Sequence, residues 1–322
     1  MTQKSVLARM LVAAALAFIL AAHAQDYPSK PIKIVVPFPP GGGVDAIARI
    51  LAERLHGKWG QTVTVENRAG ANGNIGMESV FRAEPDGYTL LLATPGQLAI
   101  SKILYTKLGF DPDALVPVSV AVAITNALVI HPKVAAASVQ ELIALAKANP
   151  GRLNYATQGI GSAAHLTGEL FQSLAGIKIA HVPYKGAAPA LADLFGGQVE
   201  MAFLELSVAL PQIRAGKLRV LAVGDDKRNP SLPDIPAMTE VLPGLVFGTW
   251  YGVVAPPKTP PAIANRLSDA IAEVIKQPDV VQQLLDRNTA MIGSTPAQMA
   301  LLMKQDRERW GNVIRTTGVT AD

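Results

Sequence analysis

The segment Phe38-Pro39-Pro40-Gly41-Gly42-Gly43-Val44-Asp45 sets three adjacent glycines behind a stiff proline-rich stretch. Glycine leaves its N–H uncovered by a Cβ, and successive N–H groups at a helix start form a concave seat for negative charge. The chemistry this points to is capture of an anion by Gly41, Gly42 and Gly43. Plain helix capping and tight packing fit the same residues. Asp45 falls in the first helical turn, where an acid is favoured electrostatically. It also stands where it could orient a bound water or the opposite loop.

Gly41-x-Gly43-x-x-Ala46, with Glu66 about 20 residues on, has the outline of a dinucleotide fingerprint. Here prolines separate the strand from the glycines, where that fingerprint needs a tight direct turn. A second glycine-rich turn, from Asn67 to Gly73, follows where no pyrophosphate would reach. Its amides, Asn72 among them, can donate to a carboxylate or brace the loop, and Arg68 is equally placed to pair with Glu66. Thr157, Gln158 and Ser162 offer hydroxyl and amide donors further on, with Ser162 also a natural helix N-cap. Tyr184, Lys185 and Gly186 form a third candidate wall. Glu205 ends an apolar strand, where it could accept from a ligand ammonium or hydroxyl, bond across a hinge, or face solvent.

Catalysis finds little support. Gly159-Ile160-Gly161-Ser162 lacks the Gly-x-Ser-x-Gly elbow, and Ser162 with His165 has no oriented third member. The other histidines show no metal-ligand spacing. No metal, cofactor or catalytic residue is expected.

Residues 1–24 read as a secretion signal: Lys4 and Arg9, an apolar run over 10–20, then Ala22-His23-Ala24 before the cleavage point. The rest is long enough for two domains. The formal charge of +4 includes Lys4 and Arg9, and no basic tract suits nucleic acid. With no cysteine there is neither a disulfide framework nor thiolate chemistry.

The elements that must position these residues alternate. Strands over 33–36, 62–66 and 88–93 are interleaved with helices over 43–58 and from about 74 to 83, which predicts a parallel α/β sheet with ligands beyond its strand C-termini. A second block repeats the pattern. Its strands cover 128–130, 154–156, 178–182, 199–204 and 218–223, and its helices cover 138–148, 162–174 and 187–195. A strand over 248–255 and helices over 261–275 and 295–313 follow. The reading is two α/β lobes: residues 25–122 with 248–322, and residues 123–247 inserted between them. Hinge crossovers are expected near 118–127 and 240–252.

The mature chain resembles the Bug (Bordetella uptake gene) family, the extracytoplasmic solute receptors of tripartite tricarboxylate transporters. The resemblance is carried by Tyr27-Pro28, Ile34-Val35-Val36-Pro37-Phe38-Pro39-Pro40-Gly41-Gly42-Gly43-x-Asp45 and Glu66-Asn67-Arg68-Ala69-Gly70-Ala71-Asn72-Gly73. It is carried further by Pro85-Asp86-Gly87-Tyr88-Thr89-Leu90, Pro183-Tyr184-Lys185-Gly186 and Gly216-Lys217-Leu218-Arg219-x-Leu221-Ala222-Val223. It implies a periplasmic-binding-protein-like Venus flytrap, each lobe a central sheet flanked by helices, closing on one small organic acid. It implies a carboxylate held by ordered waters and backbone groups from Pro40 to Asp45 and from Ala69 and Ala71 to Gly73. The loops Thr157 to Ser162 and Tyr184 to Ala187 would hold the ligand's other end. Where the family often carries Asp then Asn, this chain has Glu205-Leu206.

The resemblance further implies a periplasmic location and integral membrane transporter subunits as partners. A monomer is expected. The ligand classes it spans are dicarboxylates, amino acids and aromatic carboxylates, with Phe38 and Tyr184 the nearest aromatics to the candidate loops. A ligand-sensing receptor for a membrane signalling protein and an exported α/β hydrolase or lyase are the rival readings.

Overall fold

The computed structural model describes residues 27–320, so the signal reading of residues 1–24 lies outside the described residues. The chain opens as the alternation requires, with β1 (Ile32–Val36), α1 (Gly43–Trp59), β2 (Val63–Asn67), α2 (Asn74–Phe81) and β3 (Thr89–Ala93). β1 pairs in parallel with both β2 and β3. Its Ile and Val side chains are buried, because α1 covers one face through Ile47, Leu51 and Leu55. A π-turn at Gly96–Ile100 and the short α3 (Ser101–Leu104) lead into β4 (Val116–Ile130).

β4 is the main departure from the sequence reading, which placed a strand only over 128–130. The strand runs through Pro117 because the register shifts there, and a bulge needs no amide from proline. Its polar pair Thr125 and Asn126 marks a change of partner. Thr125 pairs with Gly248 of β9 (Gly248–Ala255), and Asn126 pairs with Glu205 of β7 (Met201–Glu205).

The second half holds α4 (Val139–Ala148), β5 (Asn154–Thr157), α5 (Ala163–Ala175), β6 (Ala180–Pro183), α6 (Ala187–Phe195), α7 (Leu206–Arg214), β8 (Arg219–Val223) and α8 (Met238–Val241). Ser138 caps α4 as its spacing suggests, its Oγ accepting from the Glu141 amide at 3.1 Å. After β9 come α9 (Pro261–Val274), α10 (Pro278–Leu285), β10 (Thr289–Met291) and α11 (Pro296–Thr317). α10 and β10 were not anticipated. α11 runs past residue 313 to Gly318, which takes the left-handed conformation of a C-cap with φ 71°.

The sheet order is β2-β1-β3-β9-β4-β7-β5-β6, with β8 and β10 also on β4. Among the described strands, β4 alone pairs with both halves. Each half has its own core: Ile34, Leu51, Leu90, Tyr251 and Leu267 in one, Leu128, Tyr155, Phe171 and Phe203 in the other. α11 touches both, since Trp310 packs with Ile100, Leu104 and Leu166.

Candidate functional site

A cavity of about 610 Å³, its mouth included, lies between the halves at the C-terminal ends of the strands. Three helix N-termini meet in its wall: Gly42, Gly43 and Val44 at α1, Ser162, Ala163 and Ala164 at α5, and Gly186, Ala187 and Ala188 at α6. Gly42 and Gly186 provide no side-chain cap. The first-turn amides of α1 and α6 are therefore among the orphan donors of a helix start, and each helix adds roughly half a positive charge. No Lys, Arg or His lines this wall among the described residues. The site can attract an anion through backbone dipoles alone.

The first loop is fixed by Asp45. Its carboxylate accepts from the Gly41 amide at 3.1 Å, from Arg49 Nε and Nη2 at 2.9 and 3.0 Å, and from Asn67 Nδ2 at 3.0 Å. Burial raises its pKa, but the bonds from Arg49, Asn67 and Gly41 outweigh that and hold it below the usual carboxylate range. Asp45 therefore serves the opposite loop, and Gly41 has turned its amide away from the three-glycine seat. Asp45→Ala is expected to cost about 1–3 kcal/mol of stability above the usual carboxylate pKa, because the Gly41 and Arg49 donors lose their acceptor. The stability gap between variant and wild type should narrow as pH falls below that range, where wild-type Asp45 protonates. Urea melts at several pH values check both.

Of the residues singled out from sequence, Phe38, Gly42, Gly43, Asp45, Gln158, Ser162, Gly186, Ala187 and Glu205 line the cavity. Pro40, Gly41, Ala69, Ala71 and Lys185 are exposed and stand off from it. Arg68 pairs with Glu66. Tyr184 turns its hydroxyl to Asp193 at 2.7 Å. Asn72 and Gly73 form a support behind the wall: the Asn72 carbonyl accepts from Gln97, and a Cβ on Gly73 would crowd Gln97 and Pro37. The Asn72 amide is buried without a hydrogen-bond partner. A Cβ on Gly159 in the other half would lie 3.3 Å from its Oδ1.

Of the alternatives for Glu205, exposure to solvent is ruled out: it is 4% exposed and lines the cavity. Burial pushes its pKa up to about 7, although the neighbouring Tyr251 phenol works in the opposite direction. Tyr251 is fully buried, and its pKa is raised by that burial and by Glu205. Asn126, Tyr251, Thr249 and Thr94 also line the cavity and were not singled out from sequence. The signal for Asn126 was present as a polar residue interrupting an apolar run.

Ser162 is an N-cap, its Oγ accepting from the His165 amide at 3.2 Å. The His165 ring lies parallel to His181, with centroids 4.0 Å apart. Its Nδ1 accepts from the Gly161 amide at 3.2 Å, while His181 Nε2 lies 2.7 Å from Thr157 Oγ1. The buried pair thus supports the 157–162 loop from below rather than activating a nucleophile. Burial lowers His165 to about 4, and burial with the His165 neighbour lowers His181 to about 3. Around them stand Glu169, 4.0 Å from His165, and the Tyr155 ring.

Both histidines bind protons more weakly folded than unfolded, so stability should fall as pH drops from the usual histidine range near 6.5 toward those values. Each contributes at most about 1.4 kcal/mol per pH unit. His181→Gln is expected to flatten the pH dependence of urea unfolding between about pH 4 and 6.5. An unchanged slope would contradict the assignment.

The tripartite tricarboxylate transporter family receptor model matches residues 47–319. The chain is 39% identical over 298 residues to protein BugT of Bordetella pertussis, covering 92% of this chain and 91% of that one. Among solved structures, a Rhodopseudomonas palustris protein with adipate superposes with a TM-score of 0.88 at 35% identity, covering 92% of this chain and 99% of the other. MatC of Rhodopseudomonas palustris with bound malate gives 0.85 at 30% identity, covering 89% and 100%. These relatives are solute-binding proteins, not enzymes, and their mixed α/β two-lobe architecture is the one described above. With the family model matching most of the chain, this protein belongs to the tripartite tricarboxylate transporter family of receptors.

Proposed function

We propose that the chain binds a small organic carboxylate in the periplasm, between two lobes that close on it, and delivers it to the integral membrane subunits of a tripartite tricarboxylate-type transporter. The lobes are residues 25–122 with 248–322, and residues 123–247. They hinge where β4 changes partner at Thr125–Asn126 and where β9 begins at Gly248. The observation that carries the reading is the meeting of three helix N-termini from both halves in a wall without a side-chain cation. Backbone amides and ordered waters would hold the carboxylate. Such contacts bind well and still permit release, which a carrier needs. The adipate and malate held by the two relatives are consistent with a small acid here. No described helix is long and apolar enough to cross a membrane.

The test is calorimetry on protein stripped of ligand by unfolding and refolding. The panel is short dicarboxylates, citrate, acidic amino acids, nicotinate and aromatic carboxylates, with nucleotides as controls. Saturable binding of an acid that is recovered unchanged, with a more compact scattering profile, is the expected result. Binding of nucleotides alone, or turnover of the ligand, would overturn it.

A further inference from the structure

Glu205 is a buried acid in the wall of a cavity otherwise arranged to attract acids. It closes β7 directly opposite Asn126 in the β4–β7 register, so the two side chains stand together on one face of the sheet. Glu205 Oε2, Asn126 Oδ1, Gln158 Oε1 and the Tyr251 hydroxyl are all buried without a partner in hydrogen-bond geometry, and all four residues line the cavity; the Tyr251 phenol beside Glu205 is neutral and brings no charge. Asn and Gln can turn their amides to present nitrogen instead of oxygen, but an ionised carboxylate can only accept. Glu205 therefore fixes the character of this end of the site. The other acid in the wall, Asp45, is already paired with Arg49. A buried carboxylate without a cation is costly, and its raised pKa reflects that cost.

We propose that Glu205 is the specificity-determining residue for an ammonium group, and that the ligand is a small amino acid with its carboxylate at the helix N-termini and its ammonium at Glu205. This rests on the carboxylate reading above. An ammonium brings three donors, for which Glu205, Asn126 and Gln158 offer acceptor oxygens, and the positive charge that the wall lacks. A plain dicarboxylate would set a second negative group against Glu205 and could be held only by protonating it.

The experiment is calorimetry with matched acids on the ligand-stripped protein: succinate, malate and aspartate in one set, adipate and 2-aminoadipate in the other. At about pH 7.5 the amino-bearing member of at least one set should bind about tenfold or more tighter than its plain counterpart, since a site built to hydrogen-bond a group rejects the analogue lacking it. Glu205→Gln should cut that preference to about twofold or less, and Glu205→Asp should retain part of it. Equal or tighter binding of the plain acids overturns the assignment. So does tighter binding of malate than of aspartate, or a preference that survives Glu205→Gln. If Glu205→Gln does not fold, the wild-type ranking and Glu205→Asp decide. Binding of plain acids alone sinks this assignment and leaves the carboxylate reading standing. Failure of every acid overturns both.

Discussion

Gly43→Ala is expected to weaken ligand binding about 5- to 150-fold and to lower the stability of the free protein, because the added methyl collides both within its own half and across to the other. A Cβ on Gly43 would collide with the Tyr251 hydroxyl and lie 2.5 Å from Glu205 Oε2. Tyr251 shares the first-half core with α1, so that collision is present whether or not the halves meet, whereas Glu205 belongs to β7 in the second half, so the methyl also acts as a wedge between the halves. Overpacking at a tight contact costs about 1–3 kcal/mol, which is roughly 5- to 150-fold in affinity. The backbone conformation itself tolerates alanine: Gly43 is the first residue of a helix and its φ is not in the left-handed region. Separating the halves relieves the contact with Glu205 but not the one with Tyr251, so both the free protein and the closed state should suffer. The signature is a lowered melting temperature without ligand, a reduced ligand-induced shift, and a scattering profile that contracts less. Gly42→Ala is the control, since a Cβ there meets nothing within 4 Å. Wild-type affinity in Gly43→Ala would refute the close approach of the two halves at this point.

The second large effect is on folding. Gly224 follows β8 and is knit to both connections between the halves: its amide donates to the Asn126 carbonyl at 2.7 Å, and its carbonyl accepts from the Phe247 amide at 2.7 Å. A Cβ on Gly224 would overlap the Phe247 carbonyl oxygen and crowd its ring. The obstructing atom is backbone, so no rotamer change relieves it. Gly224→Ala should destabilise the protein by about 3 kcal/mol or more, at the upper end of overpacking costs. Gly248→Ala, in the strand that continues the same crossover, meets its nearest atom at 3.6 Å and should stay within about 1 kcal/mol of wild type. Urea denaturation of the pair gives the comparison. A Gly224→Ala penalty no larger than that of Gly248→Ala would refute the packing described here.

Much of the architecture was legible because local rules and the fold agree. The apolar run of β1, the helical spacing of Ile47, Leu51 and Leu55, and the caps at Ser138, Ser162 and Thr295 all act within a few residues of themselves. β4 was misjudged for the opposite reason. Pro117, Thr125 and Asn126 look like breaks when read locally, but partners far along the chain supply a bulge and a change of sheet at those places. The short α10 and β10 carry too little periodicity to stand out, and β10 exists only through its pairing with β4.

The site divides in the same way. Sequence alone determined the anion-attracting element, because glycine's missing Cβ and a helix's orphan amides are properties of a short segment wherever it lies. It also determined that Glu205 was unusual, as an acid closing an apolar strand. Only the tertiary structure decided what these residues face. It turned Asp45 and the Gly41 amide toward each other, set Lys185 and Tyr184 away from the cavity, and placed the His165–His181 stack beneath the second loop. It also brought Asn126 and Tyr251, from two different strands, to Glu205. Burial and proximity depend on chain segments that meet only when the two halves come together, so no local pattern could encode the charge that Glu205 lacks.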